Sequence, residues 1–386
     1  MTLITTQDAL NTYAARLRGQ KYVLLDTEFL REKTYYPQLC LIQAMIPDDE
    51  PVAIDALAEG LDLGPFWSAI ADPTLLKVFH AGRQDLEIIV KATGAVPTPL
   101  FDTQIAASVL GYGEQVGFEN LVRSILKHQL DKGSQFTDWA RRPLTDRQVR
   151  YALDDVRYLD PIYKRLVNEL KSRKRADWLD EDIAIISDVA IYQLDENELW
   201  RRVKIRSDRP RDLAVLRSIT AWREREARAR DLPRGRIIKD EPLGEIALHH
   251  PRTVDELAAI RGIDKGMARG KLGSALLAAI ADGLALPEEQ CPSIPRKRAL
   301  SDEQEALLEI LKFIVKMRAR ELSITPRLLA SGDDLEHIVR HDFATSRLAS
   351  GWRLEVFGRA LLDRPYFGFE LDLENKRVQI TETPNK

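Results

Sequence analysis

The chain has 386 residues, about two to three times the usual ~100–200 of one domain, so several hydrophobic cores are expected and a single small module is excluded. Hydrophobic residues make up 44% and charged residues 30%, with only 20 Gly and 19 Pro, which fits folded domains and excludes disorder, collagen and disulfide scaffolds. The formal net charge of -3 is uneven: residues 1–170 carry 18 Lys and Arg against 23 Asp and Glu, whereas 201–236 carry 13 against 5. That basic excess either meets phosphates or is a solvated helix face.

In chain order, the first 19 residues hold no apolar core of signal-peptide length. Residues 22–29 (YVLLDTEF), 38–45 (QLCLIQAM) and 51–55 (PVAID) read as strands, being apolar runs bounded by polar loops. A helix over 63–72, a strand over 76–80 and a helix over 83–94 closed by Gly94 continue an α/β alternation. From Asp102 the pattern turns helical over 102–111, 118–128 and 145–170, the last with Thr145 as N-cap. Residues 171–208 are charged and helix-like, and Pro210 within SDRPRD marks a boundary.

The remainder holds a weak duplication. RARDLP (228–233) resembles RAREL (318–322) followed by Pro326, and LGSALL (272–277) matches FGRALL (357–362). The expected partition is a nuclease-sized domain over 1–170, a helical linker over 171–208, helical domains over 209–288 and 301–368 joined by a Pro-rich linker over 289–300, and a tail over 369–386. Cys40 and Cys291 cannot form a Cys-rich zinc cluster, and a reducing compartment is expected. The apolar stretch 274–286 is interrupted by Asp282 and too short to span a bilayer, so no membrane partner and a cytoplasmic location are expected.

Three segments carry candidate chemistry. Asp26 and Glu28 lie two apart on a strand and share a face, which favours a shared proton or a cation between them, hard ions such as Mg²⁺ or Mn²⁺ binding such oxygens; the plainer reading is a pair of solvated strand-end acids. Asp85 follows the strand 76–80, where open α/β sheets place their sites, or else it simply complements a helix N-terminus. Tyr151 and Asp155 share one helix face, with Asp154 and Asp160 pointing elsewhere; a phenol there can orient a water beside a metal-holding carboxylate, although Y-x-x-x-D alone is a common accident.

Together, DTE (26–28), HAGRQD (80–85) and YALDD (151–155) resemble the three motifs of the DEDD exonuclease superfamily, in its tyrosine-bearing subclass. Within it the chain is similar to the ribonuclease D family through residues 27–43, 101–113 and 137–145 and through helical repeats that look like helicase-and-ribonuclease-D C-terminal domains, over about residues 1–365. The resemblance implies an α/β ribonuclease H-like exonuclease domain with a mixed sheet, followed by two small all-α helical domains. It implies that Asp26, Glu28, Asp85 and Asp155 hold two divalent ions, Mg²⁺ or Mn²⁺, with Tyr151 orienting water. The implied reaction is hydrolysis from a free 3′ end, releasing nucleoside 5′-monophosphates from tRNA precursors and other small structured RNAs. In many members the second motif starts with Asn and has an aromatic before its Asp; here His80 and Gln84 stand there.

Substrate contacts are read from composition. His80 either touches substrate or is a structural histidine. Tyr36, with Arg31, Lys33 and Tyr35, and Arg142, with Trp139 and Arg141, form basic and aromatic mixes suited to phosphates and stacked bases, with core and surface roles equally open for each. Arg223, Arg225, Arg228 and Arg230, beside Trp222, alternate with acids, so some must be ion-paired. His249, His250, His337 and His341 lack an H-E-x-x-H pattern, and no zinc site is expected from them. Two alternatives stay open: a DNA 3′–5′ exonuclease, since carboxylates do not read the sugar, and a non-catalytic RNA-binding scaffold, which has no reason to keep mutually repelling acids.

Overall fold

The computed structural model describes residues 2–131, 133, 137–294, 298–363, 367–372 and 377–382. Residues 295–297 of the expected linker, 364–366 of the second helical domain, and 373–376 and 383–386 of the tail lie outside the described residues. The chain divides into two compact units, one of Met1–Glu28, Leu41–Val189 and Ala299–Lys386, the other of Phe29–Cys40 and Ala190–Arg298.

A six-stranded sheet has the order β1-β4-β3-β2-β5-β6, with β1 Thr2–Ile4, β2 Tyr22–Leu30, β3 Gln38–Met45, β4 Val52–Asp55, β5 Leu76–Phe79 and β6 Leu100–Asp102. β3 runs antiparallel to β4, while β1 with β4, β2 with β5 and β5 with β6 are parallel, so the sheet is mixed. Val23, Leu24, Leu41 and Ile54 are fully buried in it, which is why these runs are continuously apolar. The helices of the first part are α1 Gln7–Leu17, α2 Gly64–Ile70, α3 Arg83–Thr93, α4 Thr103–Val109, α5 Phe118–Leu126 and α6 Asp146–Ser172, followed by α7 Asp180–Ser187. Thr145 caps α6 in a capping box: its Oγ1 accepts from the Gln148 N–H at 3.2 Å, and the Gln148 side chain accepts from the Thr145 N–H at 3.0 Å.

β1, α1 and β6 were not among the expected elements. β1 and β6 have three residues each, too few for alternation to register. β6 takes Asp102, the first residue of the helix expected over 102–111, and α4 starts at Thr103.

The second unit is built on α8 Pro210–Arg230, with α9 Arg234–Ile237, α10 Asp240–His249, α11 Val254–Ala259, α12 Lys265–Arg269 and α13 Lys271–Ala285. A Cβ at Gly283 would stand 2.7 Å from the Val215 Cα, so α13 meets α8 at a distance only glycine permits. In the same unit the Tyr35 hydroxyl donates to the fully buried Glu224, and Asp231 accepts from the backbone N–H groups of Tyr35 and Tyr36.

Residues after 299 belong to the first unit. α14 Asp302–Glu321, α15 Pro326–Leu329 and α16 Gly332–Val339 share one apolar cluster with α4, α5 and α6, in which Ile162 and Leu166 lie with Leu311, Leu329 and Leu348. Trp178 and Trp352 stack there at 4.1 Å and 8°, with the Arg175 and Arg353 guanidinium carbons 4.5 Å from one indole each. A mixed-sheet α/β domain followed by helical C-terminal modules is therefore the fold, as expected. Among the described residues no helix is long and apolar enough to cross a membrane.

Candidate active site

Asp26 and Glu28 lie within β2 on either side of Thr27, and Asp155 stands on α6 one turn beyond Tyr151. One oxygen from each of Asp26, Glu28 and Asp155 falls within a common span of 4.8 Å. Asp85, in the first turn of α3 and 6% exposed, is not one of that trio; Thr27 donates to its carboxylate at 2.5 Å.

The electrostatics tie all four acids together. Burial, then Asp155, holds the Asp26 carboxyl well above the usual carboxylate range. Burial, then Asp26, Asp155 and Asp85, pushes Glu28 up to about 10, and burial with Asp154 and Asp85 pushes Asp155 up to about 7. Asp85 is raised by burial and by Asp26. Burial and the charges of Asp155, Glu28 and Asp26 likewise raise the Tyr151 phenol, which stays protonated. Half-buried carboxylates this close need protons or cations between them. An all-oxygen donor set of this charge fits hard divalent ions, and the residues present suit such a group.

Beside the acids opens a cleft of about 240 Å³, lined by Tyr151, Asp154 and Asp155 from α6, Phe118, Glu119 and Asn120 from the start of α5, and Leu130 and Asp131. Asp154, read as pointing elsewhere, lines this cleft and bonds Arg157; a helix turns only about 100° per residue, and the cleft is wider than that step. Asp160 does point away, accepting from the Tyr22 hydroxyl at 2.6 Å. The contribution of residues 117–120 had no sequence signal beyond the opening of a helix after a Gly-rich loop.

The proposed substrate contacts sit differently. His80 places Nδ1 2.9 Å from the Thr103 hydroxyl and its ring 5.2 Å from Phe118, and burial lowers its pKa, so it is a neutral, packed imidazole. Arg142 grips Asp55 with Nε at 2.8 Å and Nη2 at 2.5 Å, and donates from Nη1 to the Trp139 carbonyl at 2.6 Å. Trp139 is buried, 6.2 Å from the Tyr151 ring. Tyr36 lies in the second unit with its ring 4.7 Å from Tyr35. His250 approaches Asp212 at 3.1 Å, and His337 bonds the Thr345 hydroxyl.

Comparison with known proteins adds lineage to this geometry. A 3′–5′ exonuclease family model matches residues 1–171, and an HRDC domain model matches residues 212–280. Ribonuclease D of Nitrobacter hamburgensis is 42% identical over 378 residues, covering 98% of each chain. Ribonuclease D of Sphingobium indicum is 43% identical over 386 residues, 99% of this chain and 98% of the relative. Among solved structures, Escherichia coli RNase D, described as an exoribonuclease involved in structured RNA processing, superposes with a TM-score of 0.80 at 31% identity, covering 94% of this chain and 97% of that one.

Proposed function

The chain belongs to the ribonuclease D family and is a 3′–5′ exoribonuclease, and from that premise we propose that it trims tRNA precursors and other small structured RNAs with two divalent ions, releasing nucleoside 5′-monophosphates. The observation that carries the reading is the convergence of Asp26, Glu28 and Asp155 within 4.8 Å, from segments more than 120 residues apart.

Asp26, Glu28 and Asp155, with Asp85 behind them, would hold the ions, Mg²⁺ or Mn²⁺. Such ions supply a lowered pKa for nearby water and positive charge against the phosphate oxygens and the leaving 3′ oxygen. Tyr151, protonated and one helical turn from Asp155, orients the attacking water through its hydroxyl. Thr27 holds the Asp85 carboxylate, fixing the deepest of the acids from the same strand that carries Asp26 and Glu28. The adjoining cleft, lined by Glu119, Asp131, Asp154 and Asp155, is acidic, so it suits the uncharged terminal nucleoside better than a phosphate.

The test is a labelled tRNA precursor, a matched unstructured RNA and a matched DNA, each with Mg²⁺, with Mn²⁺ and with EDTA, with products resolved by length. One-nucleotide steps from the 3′ end of the RNAs, abolished by EDTA, are expected. Equal rates on DNA would replace the RNA reading by a DNA one, and an EDTA-resistant activity would remove the metals.

A further inference from the structure

Among the described residues the Tyr151 hydroxyl makes no hydrogen bond, so packing alone sets the direction of its half-buried ring. That ring rests against Trp139, which is 3% exposed, with centroids 6.2 Å apart and planes tilted by 38°. Trp139 is not held through its own ring nitrogen: Nε1 is buried with no hydrogen-bond partner among the described residues. Nor is it held by regular structure, because residues 138–145 form neither helix nor strand before α6 begins at Asp146. The indole is therefore placed by whatever fixes its backbone.

Arg142 supplies that fixture. Its guanidinium grips the Asp55 carboxylate as a fork, Nε to Oδ2 at 2.8 Å and Nη2 to Oδ1 at 2.5 Å, and from the same plane Nη1 donates to the carbonyls of Trp139 at 2.6 Å and Arg141 at 3.1 Å. Asp55 is the last residue of β4, buried, and in register with Leu41 of β3, so the anchor belongs to the sheet itself. One planar group thus ties the loop carrying Trp139 to the end of a buried strand, and the indole in turn walls the ring of Tyr151.

We infer that Arg142 is a positioning residue for hydrolysis: by joining the Trp139 carbonyl to Asp55 it fixes the indole against which the Tyr151 phenol rests, and with it the direction in which that phenol holds water. The inference rests on the reading of Tyr151 as the water-orienting group. A reacting group displaced by about 1 Å can lose on the order of 100-fold in rate, so a loosened wall lowers the rate with the hydroxyl still present. Lysine at position 142 keeps the positive charge but has no fork to span a carboxylate and a carbonyl together.

The test is a double-mutant cycle on the full chain: wild type, Arg142→Lys, Tyr151→Phe and the two combined. Single-turnover hydrolysis of a labelled RNA is followed in saturating Mg²⁺ over a range of enzyme concentrations, and Mn²⁺ binding by electron paramagnetic resonance. Arg142→Lys should lower the maximal rate about 10-fold, with the half-saturating concentration and Mn²⁺ binding unchanged. In the Tyr151→Phe background the same substitution should cost nothing further, because no hydroxyl is left to aim. Trp139→Phe, which shrinks the wall, should show the same pattern, and it decides the matter should Arg142→Lys fail to fold. A wild-type rate in these variants would overturn the inference, as would an equal loss in both backgrounds, which is the mark of general loosening. A raised half-saturating concentration at unchanged maximal rate would make Arg142 a phosphate contact instead. If Tyr151→Phe alone hydrolyses at the wild-type rate, the water-orienting reading falls and this inference with it, a result that does not involve Arg142.

Discussion

Asp26 on β2 and Asp155 on α6 meet at the site, where Asp155 raises the cost of ionising Asp26 and both raise that of Glu28. Replacing either by Asn keeps shape and hydrogen-bonding size while removing a charge that the proposed site uses to hold metal. Asp26→Asn and Asp155→Asn should each lower kcat by roughly 100-fold or more in saturating Mg²⁺ without lowering the melting temperature. Tyr151→Phe should slow single-turnover hydrolysis by about 100-fold with metal binding kept, because only the hydroxyl proposed to orient water is lost. An unchanged single-turnover rate would remove that role.

The same acids give the metal-free protein a signed pH dependence. Unfolded carboxyls titrate near ~4, whereas Glu28 in the fold is pushed up to about 10 and Asp155 to about 7. Between those limits the folded state holds more protons than the unfolded chain, so the stability these groups contribute is full below the unfolded value and is lost as pH rises through the folded values. In EDTA the melting temperature should therefore fall from pH ~5.5 to pH ~8.5, and Mg²⁺ should raise it more at the higher pH. Thermal scans at both values check this; a Mg²⁺ effect larger at the acidic end would contradict it. These acids were legible because D-x-E on a strand and Y-x-x-x-D on a helix each define one face. The hold of Thr27 on Asp85 and the grip of Arg142 on Asp55 were not, since both pair residues more than 50 positions apart.

At the level of elements, one buried carboxylate ties together the turns around the site. Asp102 ends β6 and caps α4, accepting from the N–H groups of Gln104 at 2.7 Å and Ile105 at 3.3 Å. It also accepts from Ala81 at 3.1 Å and Gly82 at 2.9 Å, in the turn that opens α3 and so sets Asp85. Ala81 has φ 55°, a left-handed conformation costly for alanine, and these bonds hold it there. Asp102→Asn leaves one of the two acceptor oxygens, so a loss of about 1–3 kcal/mol is expected in urea denaturation, together with reduced turnover. Wild-type stability in this variant would mean the turn is fixed by something else. The strands 22–29, 38–45, 51–55 and 76–80 and the capped helix α6 were legible because burial on both sheet faces leaves unbroken apolar runs. α1 escaped although Leu10, Tyr13, Ala14 and Leu17 follow helical spacing, because a polar stretch before the first strand gave it no context.

For the molecule as a whole, sequence similarity and packing group residues differently. The duplicated helical pattern marks residues 301–368 as a module like 209–288, yet α14–α16 complete an apolar cluster with α4–α6, the last of which carries Tyr151 and Asp155. Trp352→Ala removes one half of the indole stack and should cost about 3–5 kcal/mol, read as a shift of the transition that reports on the nuclease elements. A separate, early transition that leaves nuclease activity intact would show instead that the two parts melt independently. The basic stretch 201–236 was visible only as charge. Which of its arginines are bonded within the fold depends on Glu196 and Asp240, outside the stretch, and on carbonyls beyond α13, so no periodicity within it could sort them.

The central claim, that acids from three separate segments share divalent ions, is tested most directly by counting Mn²⁺ bound to the metal-free protein by electron paramagnetic resonance, with nucleoside 5′-monophosphate present. About two ions per wild-type chain are predicted, with the bound population largely lost in Asp26→Asn and in Asp155→Asn. Equal Mn²⁺ binding by the wild type and both variants would contradict the account.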